Sequence, residues 1–182
     1  MVDIQQNKKI IILIIGLGNI GTRHLESLLE VKNSEILIFD NSKKQITNIL
    51  KKYNKKNIKK VEHLKDIKKI INFVVVATNS DQRHKVLHNL IKFCKVEYIL
   101  LEKVVFQKLI HFRKFINISK DKKIKFIINY PRRLWNFFQI IRKEIKVSQS
   151  KFEILFEGQN WGLCCNTIHF IDLLFFFSHK KI

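Results

Sequence analysis

Ile10-Ile11-Ile12-Leu13-Ile14-Ile15-Gly16-Leu17-Gly18-Asn19-Ile20-Gly21 is the stretch on which the reading of this 182-residue chain turns. Six consecutive apolar residues predict a strand buried on both faces. The glycines at 16, 18 and 21 predict a tight turn, and a helix follows from Thr22. A second apolar run, Ile36-Leu37-Ile38-Phe39, is closed by Asp40. Strand, glycine turn, helix, strand and acid, in that order, make a βαβ unit of the dinucleotide-binding kind. Gly16 permits the turn, Gly18 lets the backbone approach a pyrophosphate, and Gly21 lets the helix lie close on the sheet. The pyrophosphate belongs at the helix N-terminus, where unpaired N–H groups and the helix dipole favour an anion. Gly16, Gly18, Asn19, Ile20 and Gly21 are therefore expected cofactor-binding residues. Asp40 lies about 20 residues beyond the glycines, where a carboxylate accepts hydrogen bonds from ribose hydroxyls. A plain strand-to-helix turn is the competing reading, and it leaves Asp40 without a purpose.

Hydrophobic residues make up 46% of the chain, enough for a packed core, and the length suits one domain or one domain with part of another. The formal net charge of +20 raises the question of nucleic acid. Most of the excess is lysine spread along the chain beside many Ile, Asn and Phe, a pattern that biased gene composition produces on solvated faces. The densest cluster, Lys51-Lys52 to Lys59-Lys60, contains one aromatic, Tyr53. A nucleic-acid groove more often joins arginine to stacking aromatics, so no specific nucleic-acid partner is expected. Cys94, Cys164 and Cys165 form no disulfide framework and no zinc spacing. No metal is expected, and a reducing cytoplasm is the expected location. Lys8-Lys9 before Ile10–Ile15 imitates a signal peptide, but no small-residue cleavage site follows. No apolar run reaches the ~18 residues that cross a bilayer.

Downstream, Ile20, Leu25, Leu28 and Leu29 predict an apolar helix stripe, and Glu35–Phe39 a strand. Ser42 is placed to cap a helix carrying Ile46, Ile49 and Leu50. A short strand at Ile58–Val61, a brief helix at Leu64–Lys69 and a strand at Phe73–Ala77 follow. Val86, Leu87, Leu90 and Ile91 mark the next helix, then come a strand at Glu97–Leu101, a helix through Leu109, Phe112 and Ile116, and a strand at Ile124–Asn129. This alternation predicts a doubly wound parallel sheet, an α/β fold, with sites at the carboxyl ends of its strands. Gly16, Asp40, Thr78 and Glu102-Lys103 all stand at such ends. Pro131 opens a different pattern: an amphipathic helix over Arg132–Lys146, a half-buried strand around Phe152, Ile154 and Phe156, a loop from Gly158 to Gly162, and an apolar helix over Asn166–Phe177. One strand cannot make a free-standing sheet. The expected organisation is a nucleotide-binding domain over 1–129 and the beginning of a truncated second α+β domain over 130–182.

Four motifs in order, Gly16-Leu17-Gly18-Asn19-Ile20-Gly21-Thr22-Arg23-His24, Ala77-Thr78-Asn79 with His84, Glu102-Lys103, and His169-Phe170-Ile171-Asp172, resemble the Gfo/Idh/MocA family of NAD(P)-dependent oxidoreductases. That family includes glucose-fructose oxidoreductase and inositol dehydrogenase. The resemblance implies a Rossmann domain joined to an α/β domain whose open antiparallel sheet mediates homo-oligomerisation in the full-length form. It implies hydride transfer between the nicotinamide and a carbinol carbon of a sugar, sugar derivative or cyclitol. It also implies that Thr78, Asn79, Glu102 and Lys103 border the cofactor. Lys103 would reach the substrate oxygen and steady developing negative charge, and His169 would act as general base. Asn166 and Arg132 are candidate substrate contacts. Two positions depart from the family: Val104 replaces the proline after the Glu-Lys pair, and Cys165 replaces an aspartate one helical turn before the histidine. Asp40 favours NAD, since a carboxylate repels a 2′-phosphate; Ser42 with Lys43-Lys44 leaves NADP open. The alternative function is a catalytically inactive dinucleotide-binding fragment or a regulatory NAD(P)-binding protein.

Overall fold

The apolar run at the start of the chain forms β1 (Ile10–Ile15), and the helix α1 (Asn19–Leu28) follows the glycine turn. The computed structural model describes residues 9–145, 153–160 and 162–178, without the Cys164 side chain. Two compact units divide the chain, Met1–Ile128 and Asn129–Ile182. The first continues through β2 (Ser34–Phe39), α2 (Lys43–Tyr53), β3 (Ile58–Lys60), a 3₁₀ turn at Leu64–Asp66, β4 (Ile71–Val76), α3 (Arg83–Phe93), β5 (Val96–Leu101), α4 (Leu109–Asp121) and β6 (Lys125–Ile128). Its six strands are all parallel and lie in the order β3-β2-β1-β4-β5-β6. This is the expected doubly wound sheet, with its switch point between β1 and β4.

The strand period of two sends alternate residues to opposite faces. Leu13, Val74 and Ile99 pack with Leu87, Leu90 and Phe115 on one face. Ile12, Ile14, Ile36 and Val75 pack with Leu25, Ile46 and Ile49 on the other. Central strands covered on both faces explain the unbroken apolar runs. The Ser42 hydroxyl accepts from the Gln45 N–H at 3.3 Å and caps α2. The helix expected at Leu64–Lys69 contracts to one 3₁₀ turn. Leu64 and Ile67, three apart, fall on one face of such a turn and both reach the core.

In the second unit, a 3₁₀ turn at Pro131–Leu134 precedes α5 (Asn136–Glu144), and α6 (Leu163–Phe177) follows later. The single helix expected over Arg132–Lys146 is thus divided. Trp135 adopts extended backbone, φ −70° and ψ 131°, and its ring stacks on Phe138; Lys146 lies outside the described residues. The strand expected around 152–156 is not one. Residues 153–158 carry no regular secondary structure, and Phe152 lies outside the described residues. A strand needs a neighbour for its backbone groups, and the described residues of this unit supply none. Ile154 and Phe156 nevertheless pack on the small core of Leu173, Phe176 and Phe177.

Candidate functional site

Strand register places the site residues of the first unit at one level. Ile15 lies opposite Phe39 and Val76, and Val76 opposite Leu101. Main-chain bonds carry the ladder one step further, from Gly16 N to Phe39 O (3.0 Å), Ala77 N to Ile15 O (2.8 Å) and Glu102 N to Val76 O (3.2 Å). The segments beginning at Gly16, Asp40, Ala77 and Glu102 therefore leave the sheet together.

The three glycines of the turn differ in what surrounds them. Gly16 has φ +92°, and a Cβ there would lie 2.9 Å from the Ala77 carbonyl carbon and 3.0 Å from Thr78 N. A Cβ on Gly21 would lie 1.8 Å from the Gly16 carbonyl oxygen. Both glycines are thus required by the protein's own packing. Gly18 is different: a Cβ there meets nothing within 4 Å. Its φ of −65° and ψ of −169° suit any residue. Gly18 is also the N-cap of α1, whose first turn carries neither a capping side chain nor an acid. The positive end of the helix dipole therefore meets no acidic side chain of its own first turn.

Asp40 holds this turn from the side. Its Oδ2 accepts from the Leu17 N–H at 2.6 Å and its Oδ1 from the Ser42 N–H at 2.7 Å. The carboxylate is fixed in orientation, and each oxygen keeps a further lone pair for a hydroxyl donor. Across the switch point, the Thr78 hydroxyl is buried and has no partner among the described residues. The Asn79 carbonyl accepts from Arg83 N at 3.1 Å. Glu102 is buried, and its Oε1 lies 2.7 Å from His24 Nε2 on α1. Half-buried Lys103 follows, and the Lys103–Val104 peptide is cis. An open cradle at Gly18, an uncapped helix N-terminus and a fixed carboxylate at the end of β2 together fit a dinucleotide.

Arg83 is a site residue that the motif reading passed over. Its side chain is buried, and its guanidinium donates to the carbonyls of Thr78, Glu102, Val104 (2.5 Å) and Val105 (3.2 Å). Burial draws its pKa below the ordinary guanidinium value, to about 10, while Glu102 opposes the shift, so it stays a cation at neutral pH. A signal was present in the sequence. Arg83, Leu87, Leu90 and Ile91 share the buried face of α3, so a charge stands where the stripe calls for an apolar residue. His24, quoted only as part of the first motif, is likewise tied to the site through Glu102.

In the second unit, His169 is buried and meets the Tyr130 ring edge-on, with centroids 6.0 Å apart. Burial pushes the Tyr130 hydroxyl above its ordinary value. Arg132 donates to Asn166 Oδ1 at 2.6 Å and lies over the Phe170 ring, so these two candidate substrate residues bond each other. Arg133 makes a two-point pair with buried Asp172, Nε to Oδ2 and Nη2 to Oδ1, both at 2.6 Å. Cys165 is exposed. Among the described residues no group of three or more His, Cys, Asp or Glu is placed to hold a metal ion, and no helix is long and apolar enough to cross a membrane.

The chain belongs to the Gfo/Idh/MocA oxidoreductase family, NAD-binding Rossmann fold, whose model matches residues 10–130. No curated protein matches it. Among solved structures it is similar to apo scyllo-inositol dehydrogenase from Lactobacillus casei, at 16% identity and a TM-score of 0.63 over 76% of this chain and 41% of that one. It is similar to biliverdin reductase in complex with biliverdin and NADP+ from Synechocystis sp. PCC 6803, at 16% identity and a TM-score of 0.61 over 74% and 42%. A super-repressor mutant of Gal80p from Saccharomyces cerevisiae matches at 14% identity and a TM-score of 0.75 over 95% and 53%. These are likenesses of fold, and the chain spans about half the length of the solved chains.

Proposed function

We propose that this chain is the dinucleotide-binding part of an NAD(P)-dependent oxidoreductase acting on a carbinol carbon of a sugar, sugar derivative or cyclitol. The observation that carries the reading is the open space at Gly18 on an uncapped helix N-terminus, beside two glycines that the fold itself requires. When bound, the nicotinamide dinucleotide supplies the hydride acceptor or donor. The first turn of α1, from Gly18 through Asn19 and Ile20, binds its pyrophosphate, and Asp40 takes the ribose hydroxyls, which favours NAD. Thr78, Asn79 and Glu102 border the cofactor. Lys103 holds the reacting oxygen and steadies its negative charge. His169 moves the hydroxyl proton, with Asn166 and Arg132 meeting the rest of the substrate. In this reading residues 1–129 are the nucleotide domain and 130–182 belong to a substrate domain of a cytoplasmic, homo-oligomeric enzyme.

One observation favours a second reading, a dinucleotide binder without turnover. Cys165 stands one turn before His169 where the family often has an aspartate, and the Asp172 carboxylate on the same helix is engaged on both oxygens by Arg133. Titration with NADH and NADPH, read by nicotinamide fluorescence, tests both readings at once. Binding followed by oxidation or reduction with inositols or hexoses supports the first, and Lys103→Met should then lower turnover far more than it lowers NADH affinity. Binding without turnover supports the second; absence of binding rejects both.

A further inference from the structure

We propose that Arg83 is a positioning residue that sets the spacing of the two strand-end loops, Thr78-Asn79 and Glu102-Lys103, through a single buried guanidinium. The inference rests on the dinucleotide reading for its functional consequence, and on the contacts of Arg83 for its physical basis.

The chain leaving β5 runs from Glu102 to Lys108 before α4 begins, so the carbonyls of Glu102, Val104 and Val105 are outside any helix or strand. Val105 and Glu102 are buried, which denies their two carbonyls water as a partner, while Val104 between them is exposed. Buried main-chain acceptors require donors. One Nη of Arg83 serves all three, and its other Nη serves Thr78 O at the end of β4. Lys103 therefore has a held carbonyl on each side, its predecessor's and its successor's. The guanidinium is planar and rigid, so the two loops stand apart by the width of one fork. The charge has a local counterpart in the Glu102 carboxylate, which His24 of α1 contacts at 2.7 Å. The glycine-turn helix, the Thr78 loop and the Lys103 loop thus meet in one chain of contacts. A lysine ammonium offers three donors from a point, in place of a flat fork, and cannot reproduce this arrangement.

The test uses the full chain with Arg83→Lys, Arg83→Met and Arg83→Ala. Hydrogen exchange of the ligand-free proteins is compared at residues 78–80 and 102–106 and in β1 and β4. NADH affinity is measured per folded molecule. The expected result is exchange at least about tenfold faster in the two loops with β1 and β4 unchanged. NADH affinity should fall about tenfold or more, the Lys variant lying between wild type and Met. Millimolar guanidinium ion should restore part of the binding of Arg83→Ala. Unchanged loop exchange, or loosening of loops and strands together with normal affinity in the folded fraction, overturns the proposal. Failure of the wild type to bind NADH or NADPH overturns the dinucleotide reading instead. Loop exchange in ligand-free protein still decides the role of Arg83 in that event.

Discussion

Gly18→Ala separates a glycine kept for a ligand from glycines kept for the fold. The backbone at Gly18, φ −65° and ψ −169°, is open to alanine, and the added methyl meets no protein atom within 4 Å. Two small effects on stability oppose each other. Alanine is the poorer N-cap, costing about 0.5–1 kcal/mol, and it narrows the unfolded ensemble, gaining about 0.4–1 kcal/mol. Unfolding in urea should therefore return a stability within about 0.5 kcal/mol of wild type. Dinucleotide binding should behave differently, because the methyl enters the space the pyrophosphate needs. Overpacking of this size costs about 1–3 kcal/mol, or roughly 5- to 150-fold in affinity, measured by NADH fluorescence titration. Gly21→Ala is the control. Its Cβ would sit 1.8 Å from the Gly16 carbonyl oxygen, so the variant should lose stability outright. Gly18→Ala that binds NADH like wild type would refute the assignment of that open space to a pyrophosphate.

Asp40→Ala should shift the ratio of NADPH to NADH affinity at least about tenfold toward NADPH; it should also cost about 1–3 kcal/mol in urea unfolding, because the buried Leu17 turn loses an acceptor. Glu35 is buried at the start of β2 among Lys9, Lys59 and Lys69 at 3.4, 3.1 and 2.9 Å, and the Lys69 hydrogen bond leads in holding its carboxyl down at about 2 against an ordinary 4.5. A folded-state value below the unfolded one means the contribution is complete above pH ~4.5 and is lost as pH falls through ~2. Full conversion gives about 3 kcal/mol, and the half-exposed lysines reduce this to about 1–2 kcal/mol. Glu35→Gln should lose that amount at pH 7 and close the gap with wild type toward pH 2, read by urea titrations across pH. Ser42→Ala should cost about 0.5–1 kcal/mol by removing the cap of α2, with NADH affinity changed less than twofold.

The fold was legible wherever side-chain pattern alone decides structure. Central strands buried on both faces are apolar at nearly every position, and the runs Ile10–Ile15 and Phe73–Ala77 were legible as strands, the second beginning two residues earlier, at Ile71, and ending at Val76. Reading was least reliable where the backbone needs a partner that the local letters do not name. Ile154 and Phe156 alternate like a strand and do reach a core, yet residues 153–158 pair with no strand among the described residues. Trp135, embedded in a helical pattern, takes extended backbone and divides it.

The same distinction runs through the candidate site. Gly16, Gly21 and Asp40 are visible as letters because glycine and carboxylate have chemistry of their own. The demand for Arg83 comes from four carbonyl oxygens, which every residue possesses and no letter records. Only the misplaced charge on an apolar helix face hinted at it. The lysine excess divides in the same way. Lys9 lies far from Lys59 and Lys69 in the chain, and a reading by composition puts all of them on solvated faces. The sheet brings them together around Glu35, at the end opposite the glycine turn, because Ser34 pairs with Ile10 and Ile36 with Ile58. Part of the positive charge therefore neutralises a buried acid and needs no nucleic acid to explain it.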